Sequence, residues 1–283
     1  MVSLVKTIPE GKWFSKMLIF ILIFCSLVLV FFPALSLLIE KWLSVEDYAH
    51  AFFIVPFIGY MSWQRRTYFQ NNNSAPVAGS TLLILSLLAY LFFLKLQVPT
   101  LIFLSTASSL ISIMIFFAGF SAVKEMAIPI LLLFLIIPIP NQILAMLTGS
   151  LQLRISEVSE LIIRIFGVPM YREGNMLHVQ QMTFQVVEAC SGMRSLISMT
   201  TFSVIVSYFT LTKLWTAAFL LLFSIPVALF INLTRVVTMV LFYNYFSMDL
   251  TIGLPHTITG LVLFILGIIL LFSFQRVLKN WEK

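Results

Sequence analysis

A lipid bilayer admits only helices and closed barrels, because a backbone N–H or C=O left unpaired in hydrocarbon costs several kcal/mol. A spanning helix therefore needs about 20 mainly apolar residues, and this chain supplies such runs one after another. Residues 17–39, 81–94, 100–120, 126–147, 191–209, 214–231 and 257–274 are apolar; 51–63 is a shorter run carrying Pro56, and Pro138 and Pro140 interrupt 126–147. A hydrophobic share of 60% beside 10% charged residues excludes a soluble domain. The expected fold is an all-α polytopic membrane protein, one integral membrane domain over residues 1–283, with about eight transmembrane helices.

Basic residues mark the cytoplasmic ends of such helices. Lys6, Lys12 and Lys16 place the N-terminus inside, Arg65 and Arg66, Lys124 and Lys213 mark inner loops, and Arg276, Lys279 and Lys283 place the C-terminus inside. The first run is too long for a signal-peptide core and lacks a small-residue cleavage site before Glu40, so it reads as a retained anchor. The net charge of +6 is scattered between apolar runs, which argues against a nucleic-acid partner. Cys25, inside the first run, reads as a buried small hydrophobe.

Residues 214–247 are long for one helix and short for two. Two spans would put the basic C-terminus outside, so the preferred reading is one span ending near Asn232, then an interfacial or re-entrant segment over 236–245. The polar stretch 149–189 falls outside as an extracytoplasmic insertion. In it Leu151, Ile155, Val158, Ile162 and Ile165 recur at helical spacing, which predicts an amphipathic interfacial helix. Pro169 ends it, 172–175 reads as a turn, and 177–187 has weak strand character.

By the same count Cys190, Asn232, Arg235 and His256 all reach the outer membrane–water boundary. Cys190 stands at the mouth of a helix with Glu188 before it and Arg194 after it, and a helix N-terminus with a nearby cation favours the nucleophilic thiolate. An arginine within an apolar run, as Arg235 is, costs free energy and is a functional candidate, although arginines near span ends also snorkel. His256, after Pro255, is a candidate proton carrier. His50 and His178 read as structural or substrate-lining. There is no His-Glu-x-x-His motif and no Gly-x-Ser-x-Gly elbow, so neither a metal nor a serine nucleophile is expected, and no cofactor is called for.

The stretch Glu188-Ala-Cys190-Ser-Gly-x-Arg194-Ser-Leu resembles the signature of the exosortase/archaeosortase family of membrane cysteine transpeptidases. Asn232-Leu-Thr-Arg235, Pro255-His256, Tyr48-Ala-His50-Ala-Phe-Phe-Ile-Val-Pro56, Leu133-Phe-Leu-Ile-Ile-Pro-Ile-Pro140 and Tyr171-Arg-Glu-Gly174 resemble its other landmarks. Ala49 and Ala51 flank His50 where the family pattern has a serine and a glycine. The resemblance implies catalytic Cys190, Arg235 and His256, with Glu188, Arg194, Asn232 and Arg172 binding substrate or supporting them. It also implies a bacterial inner-membrane enzyme with its active site on the periplasmic face. Its partners would be the lipid bilayer, the C-terminal sorting signal of exported proteins (Pro-Glu-Pro, a hydrophobic helix, a basic tail) and a glycan or lipid-linked acceptor. A non-enzymatic component of surface polysaccharide assembly or export is the alternative, and a protease releasing its product to water a third reading.

Overall fold

The computed structural model describes residues 10–45, 48–67, 74–179, 182–186 and 192–282, with the backbone alone over 10–24. In chain order these residues form α1 (Glu10–Ser44), α2 (Ala51–Gln64), α3 (Pro76–Leu96), α4 (Pro99–Glu125), α5 (Ala127–Leu135), α6 (Asn141–Ile165), β1 (Met170–Glu173), β2 (Met176–Val179), β3 (Met182–Gln185), α7 (Met193–Thr210), α8 (Leu214–Phe246) and α9 (Gly253–Trp281). Five helices are long and apolar enough to cross a membrane: Cys25–Ser44 of α1, then α3, α4, α8 and α9. The chain is an all-α multi-pass membrane protein. Helix α2 is a shorter apolar helix, 14 residues long, and α7 has 18.

Helices α3 and α4 form a hairpin. Gln97 closes α3 in the left-handed region at φ 55° and Pro99 opens α4, where its missing N–H costs nothing. Their backbones approach so closely that a Cβ on Gly79 would run into the backbone of Phe116. A buried Ser109–Ser86 hydrogen bond of 3.0 Å ties them further, the small-residue and hydroxyl packing that membrane helices use in place of a hydrophobic drive.

The run 126–147 is not one span. Helix α5 stops at Leu135, the chain turns through Ile136–Pro140, where prolines bar a helix, and α6 begins at Asn141. Non-helical backbone beside lipid needs partners, and it has them. Trp42 Nε1 donates to Ile136 O at 3.0 Å, Thr100 Oγ1 to Pro138 O at 2.9 Å, and Ile139 N to Tyr48 Oη at 2.9 Å. The predicted amphipathic helix is therefore the second part of a longer α6. Its Ile155, Ser156, Ser159 and Ile163 are buried, while Leu161 and Ile165 stay exposed. Cys25, read as buried, is exposed, because α1 offers its apolar surface to the surroundings.

The expected break after Asn232 is absent. Helix α8 runs for 33 residues, about 50 Å at 1.5 Å per residue, well beyond a hydrocarbon core of roughly 30 Å. No glycine or proline interrupts it after Pro226, and its far half has a protein partner. Val236, Val237 and Val240 pack with Ile155 and Ile163 of α6, with Leu177, Val179 and Phe184 of the three-stranded antiparallel sheet β1-β2-β3, and with Val186 just after it. Strands therefore start at Met170, earlier than expected, and the turn shrinks to Gly174 and Asn175, with Gly174 at φ 61°. Tyr245 Oη donates to Phe166 O at 2.8 Å, and Ser156 Oγ to Gly174 O at 3.0 Å.

Helix ends gather in two groups. Arg65 after α2 pairs with Glu125 at the end of α4 (3.2 Å) and donates to Tyr208 Oη of α7 (3.3 Å). Glu282, after α9, accepts from the backbone N–H groups of Thr212 and Lys213 before α8. The other group holds the ends of α1, α3 and α5 and the starts of α2, α4 and α6, which meet around Tyr48, Pro99, Pro138 and Asn141.

Candidate active site

Helix α7 begins from Gly192, whose φ of 90° suits glycine alone, and a Cβ there would lie 3.1–3.2 Å from the side chain of Asn232. Bare backbone at this point lets the start of α7 rest on α8. Asn232 is 1% exposed, and Arg235, three residues on, shares its face of α8. On α9, Gly260 stands one turn after His256 and leaves room for the guanidinium: a Cβ on Gly260 would be 3.1 Å from Arg235 Nη2.

Arg235 Nη2 and His256 Nε2 are 2.7 Å apart. A guanidinium only donates, so Nε2 accepts and the imidazole is neutral, with its proton on Nδ1. That Nδ1–H points at Leu250 O, 3.2 Å away. The carbonyl thus fixes the tautomer, the tautomer presents a lone pair, and the lone pair orients a cation. The pair opens on a cavity of about 640 Å³ between α7, α8 and α9, lined by Arg194, Ser195, Ser198, Asn232, Thr257 and, on its apolar side, Leu261 and Phe264 among others. Polar side chains thus line part of the cavity and apolar ones the rest.

The transmembrane exosortase family model matches residues 42–273. The chain belongs to that family. No curated protein and no solved structure matches it.

Of the residues singled out in this exosortase's sequence, Arg194, Asn232, Arg235 and His256 come together at the one cavity. Glu188 and Cys190 lie outside the described residues. Arg172 does not line that cavity. Its Nε donates to Glu160 Oε2 at 3.1 Å and its Nη1 to Gly174 O at 2.9 Å, which pins the sheet to α6. His178 belongs to the sheet surface too, stacked on Tyr171 at 4.4 Å and 2.9 Å from Thr183 Oγ1. His50 precedes α2 beside Tyr48, with ring centroids 6.5 Å apart. Among the described residues, no group of three or more His, Cys, Asp or Glu side chains is placed to hold a metal ion.

Sequence reasoning missed Ser195, Ser198, Thr257 and Gly260. Their signal was present but weak: Ser198 lies four residues after Arg194 and Gly260 four after His256, the helical spacing that shares a face.

Proposed function

We propose that this exosortase is a cysteine transpeptidase acting on the C-terminal sorting signal of exported, membrane-anchored proteins. The observation that carries the reading is the Arg235–His256 pair in a cavity bounded by the first turn of α7, which begins three residues along the chain from Cys190. A cation, a neutral base and a cysteine nucleophile are the parts an acyl transfer needs.

In this mechanism Arg235 turns an N–H from His256 Nε2 to the scissile carbonyl oxygen as substrate binds, and the freed Nε2 takes the Cys190 thiol proton. The thiolate attacks the carbonyl carbon, a C–S bond forms and the carbonyl oxygen takes the negative charge. The Arg235 N–H stabilises that oxyanion, a contribution worth ~3 kcal/mol or more. His256 then delivers its proton to the leaving nitrogen as the C–N bond breaks. The thioester then passes to an acceptor nucleophile, a glycan or lipid-linked group at the membrane, which restores the thiolate. Arg194 holds an acidic residue of the signal by a paired hydrogen bond, Glu188 orients one of the arginines or His256, and Leu261 and Phe264 receive the signal's hydrophobic helix.

The two groups of helix ends fit eight crossings, α1 to α5 and α7 to α9. Helix α5, nine residues long, counts as a crossing together with residues 136–140 that follow it. Basic Arg65, Lys124, Lys213 and Lys279 then fall on one side, the cytoplasm, and the cavity on the periplasmic side of a bacterial inner membrane.

The test is a Cys190→Ala variant expressed beside a tagged substrate. Full-length precursor is expected to accumulate while the variant reaches the membrane at the normal level. Unchanged processing would overturn the proposal and favour a non-enzymatic role in polysaccharide assembly or export. Mass analysis of the mature C-terminus separates transfer from hydrolysis.

A further inference from the structure

A second cavity, of about 390 Å³, lies against the first, and His256 is the residue that lines both. It is walled by Val236, Met239 and Val240 of α8, by Thr251, and by residues 182–186, which are β3 and the residue after it. Successive side chains of a strand point to opposite faces. A cavity on one face would therefore touch alternate residues. One that touches five in a row runs along the strand's edge. β2 holds the other edge.

The hydrogen bonds say which backbone groups line that edge. Val186 N donates to Asn175 O at 2.9 Å, and Asn175 Nδ2 donates to Val186 O at 3.2 Å, so Val186 turns both backbone groups towards β2. Direction alternates along an antiparallel strand. Phe184 and Met182 therefore also face β2, and the N–H and C=O groups of Thr183 and Gln185 face the cavity. Among the described residues nothing bonds them, while β3 is otherwise well anchored: Phe184 and Val186 are buried in the cluster with α8.

We infer that this edge of β3 is a docking strand for an extended peptide, the segment of the substrate that precedes the scissile bond. The inference rests on the transpeptidase reading. Main-chain pairing to an exposed edge gives affinity for extended chain, and pockets beside it select alternate side chains. Here the pocket floor of Phe184, Val186, Val236, Met239 and Val240 accepts an apolar one. The substrate would then lie along β3, pass His256, and continue into the larger cavity towards Leu261 and Phe264. Its upstream segment is read as backbone and its downstream helix as apolar bulk.

Proline is tolerated at an edge where the N–H faces away from the ladder, so Gln185→Pro removes an outward donor and keeps every bond to β2. With a tagged substrate, Gln185→Pro is expected to lower the processing rate about tenfold or more, the loss of main-chain pairing, with an unchanged elution profile in detergent. A second measurement replaces Gln185 by p-benzoylphenylalanine in a Cys190→Ala background. Irradiation is expected to crosslink it to the substrate segment upstream of the cleavage point, whereas the same probe at Glu173, on β1, gives none. Wild-type processing by well-folded Gln185→Pro, crosslinks to lipid only, or equal crosslinking from both positions would overturn the inference. If Gln185→Pro misfolds, the crosslink decides alone. Should Cys190→Ala leave processing intact, the transpeptidase reading has failed; should it stop processing while these tests are negative, the docking strand alone has failed.

Discussion

The two ends of this exosortase use arginine in opposite ways. Where α2, α4 and α7 end, Arg65 meets a carboxylate, Glu125 Oε2 at 3.2 Å, and its Cζ lies 5.3 Å from the ring centre of Tyr208. Charge meets countercharge, and the cluster ties three helices. Beside the large cavity, Arg235 meets an imidazole at 2.7 Å. A neutral imidazole orients the guanidinium beside the cavity that both residues line. The comparison teaches that an arginine at a helix end reads as glue or as tool according to whether it faces only other helix ends or lines a cavity as well.

The largest expected effect comes from breaking the second cluster. Arg235→Ala should lower substrate processing by roughly 10²–10³-fold, the usual cost of losing an oxyanion donor, while the variant still extracts as a monodisperse protein. Arg65→Ala should leave the rate alone and cost at most about 1 kcal/mol of stability, since a partly exposed ion pair contributes little. Pulse-labelled processing and thermal melting in detergent measure both. Equal rate losses in the two variants would mean that Arg235 is glue as well.

A smaller effect should follow from moving Arg235 instead of removing it. In Gly260→Ala the new Cβ meets Nη2 at 3.1 Å and Cζ at 3.3 Å, so the guanidinium must shift by a few tenths of an ångström. Because a misplacement of about 1 Å costs up to 100-fold, a drop of about tenfold in rate is expected, with melting little changed. Gly59→Ala on α2 is the control, for nothing lies within 4 Å of its Cβ position. It should match the parent rate and gain up to about 1 kcal/mol from helix propensity. A Gly260→Ala enzyme as fast as Gly59→Ala would show that the position of the guanidinium is not critical.

What the sequence made legible, and what it did not, follows the same divide between local and long-range physics. The apolar runs announced α1, α3, α4, α8 and α9 because the bilayer imposes length and polarity directly on the chain. The meeting of Asn232, Arg235 and His256 at one cavity was also readable, since charge alternation predicts one boundary for all three. Hidden were features whose cause lies elsewhere in the molecule. Residues 236–245 continue α8 because β1, β2 and β3 form a sheet that covers Val236 and Val240, a contact no local pattern announces. Pro138 and Pro140 announced a break after α5, but not that Trp42, Tyr48 and Thr100, distant in sequence, would satisfy the backbone of 136–140. Arg172 looked like a substrate ligand from its motif, and only the fold brings it to Glu160.

The smallest expected effect belongs to the first, structural end, and pH is its lever. The Glu282 carboxylate accepts from the Thr216 hydroxyl and from the backbone N–H groups of Lys213 and Thr212, and these bonds, the Thr216 one foremost, hold its pKa at about 2 against an ordinary 4.5. A carboxyl whose pKa is lowered on folding adds stability that is present above its unfolded value and is lost as pH falls through its folded one. The contribution should therefore be complete above pH about 4.5 and fade towards pH 2. Glu282→Gln should melt slightly below the parent at pH 6, the gap should close by about pH 2, and processing at neutral pH should be unaffected. A gap that is the same at both pH values would mean that the side chain acts there by shape and hydrogen bonding alone. A gap that appears in the processing rate would mean that the end where α9 meets the α7–α8 loop is mechanically coupled to the site around Arg235, and the division of labour between the two ends would have to be redrawn.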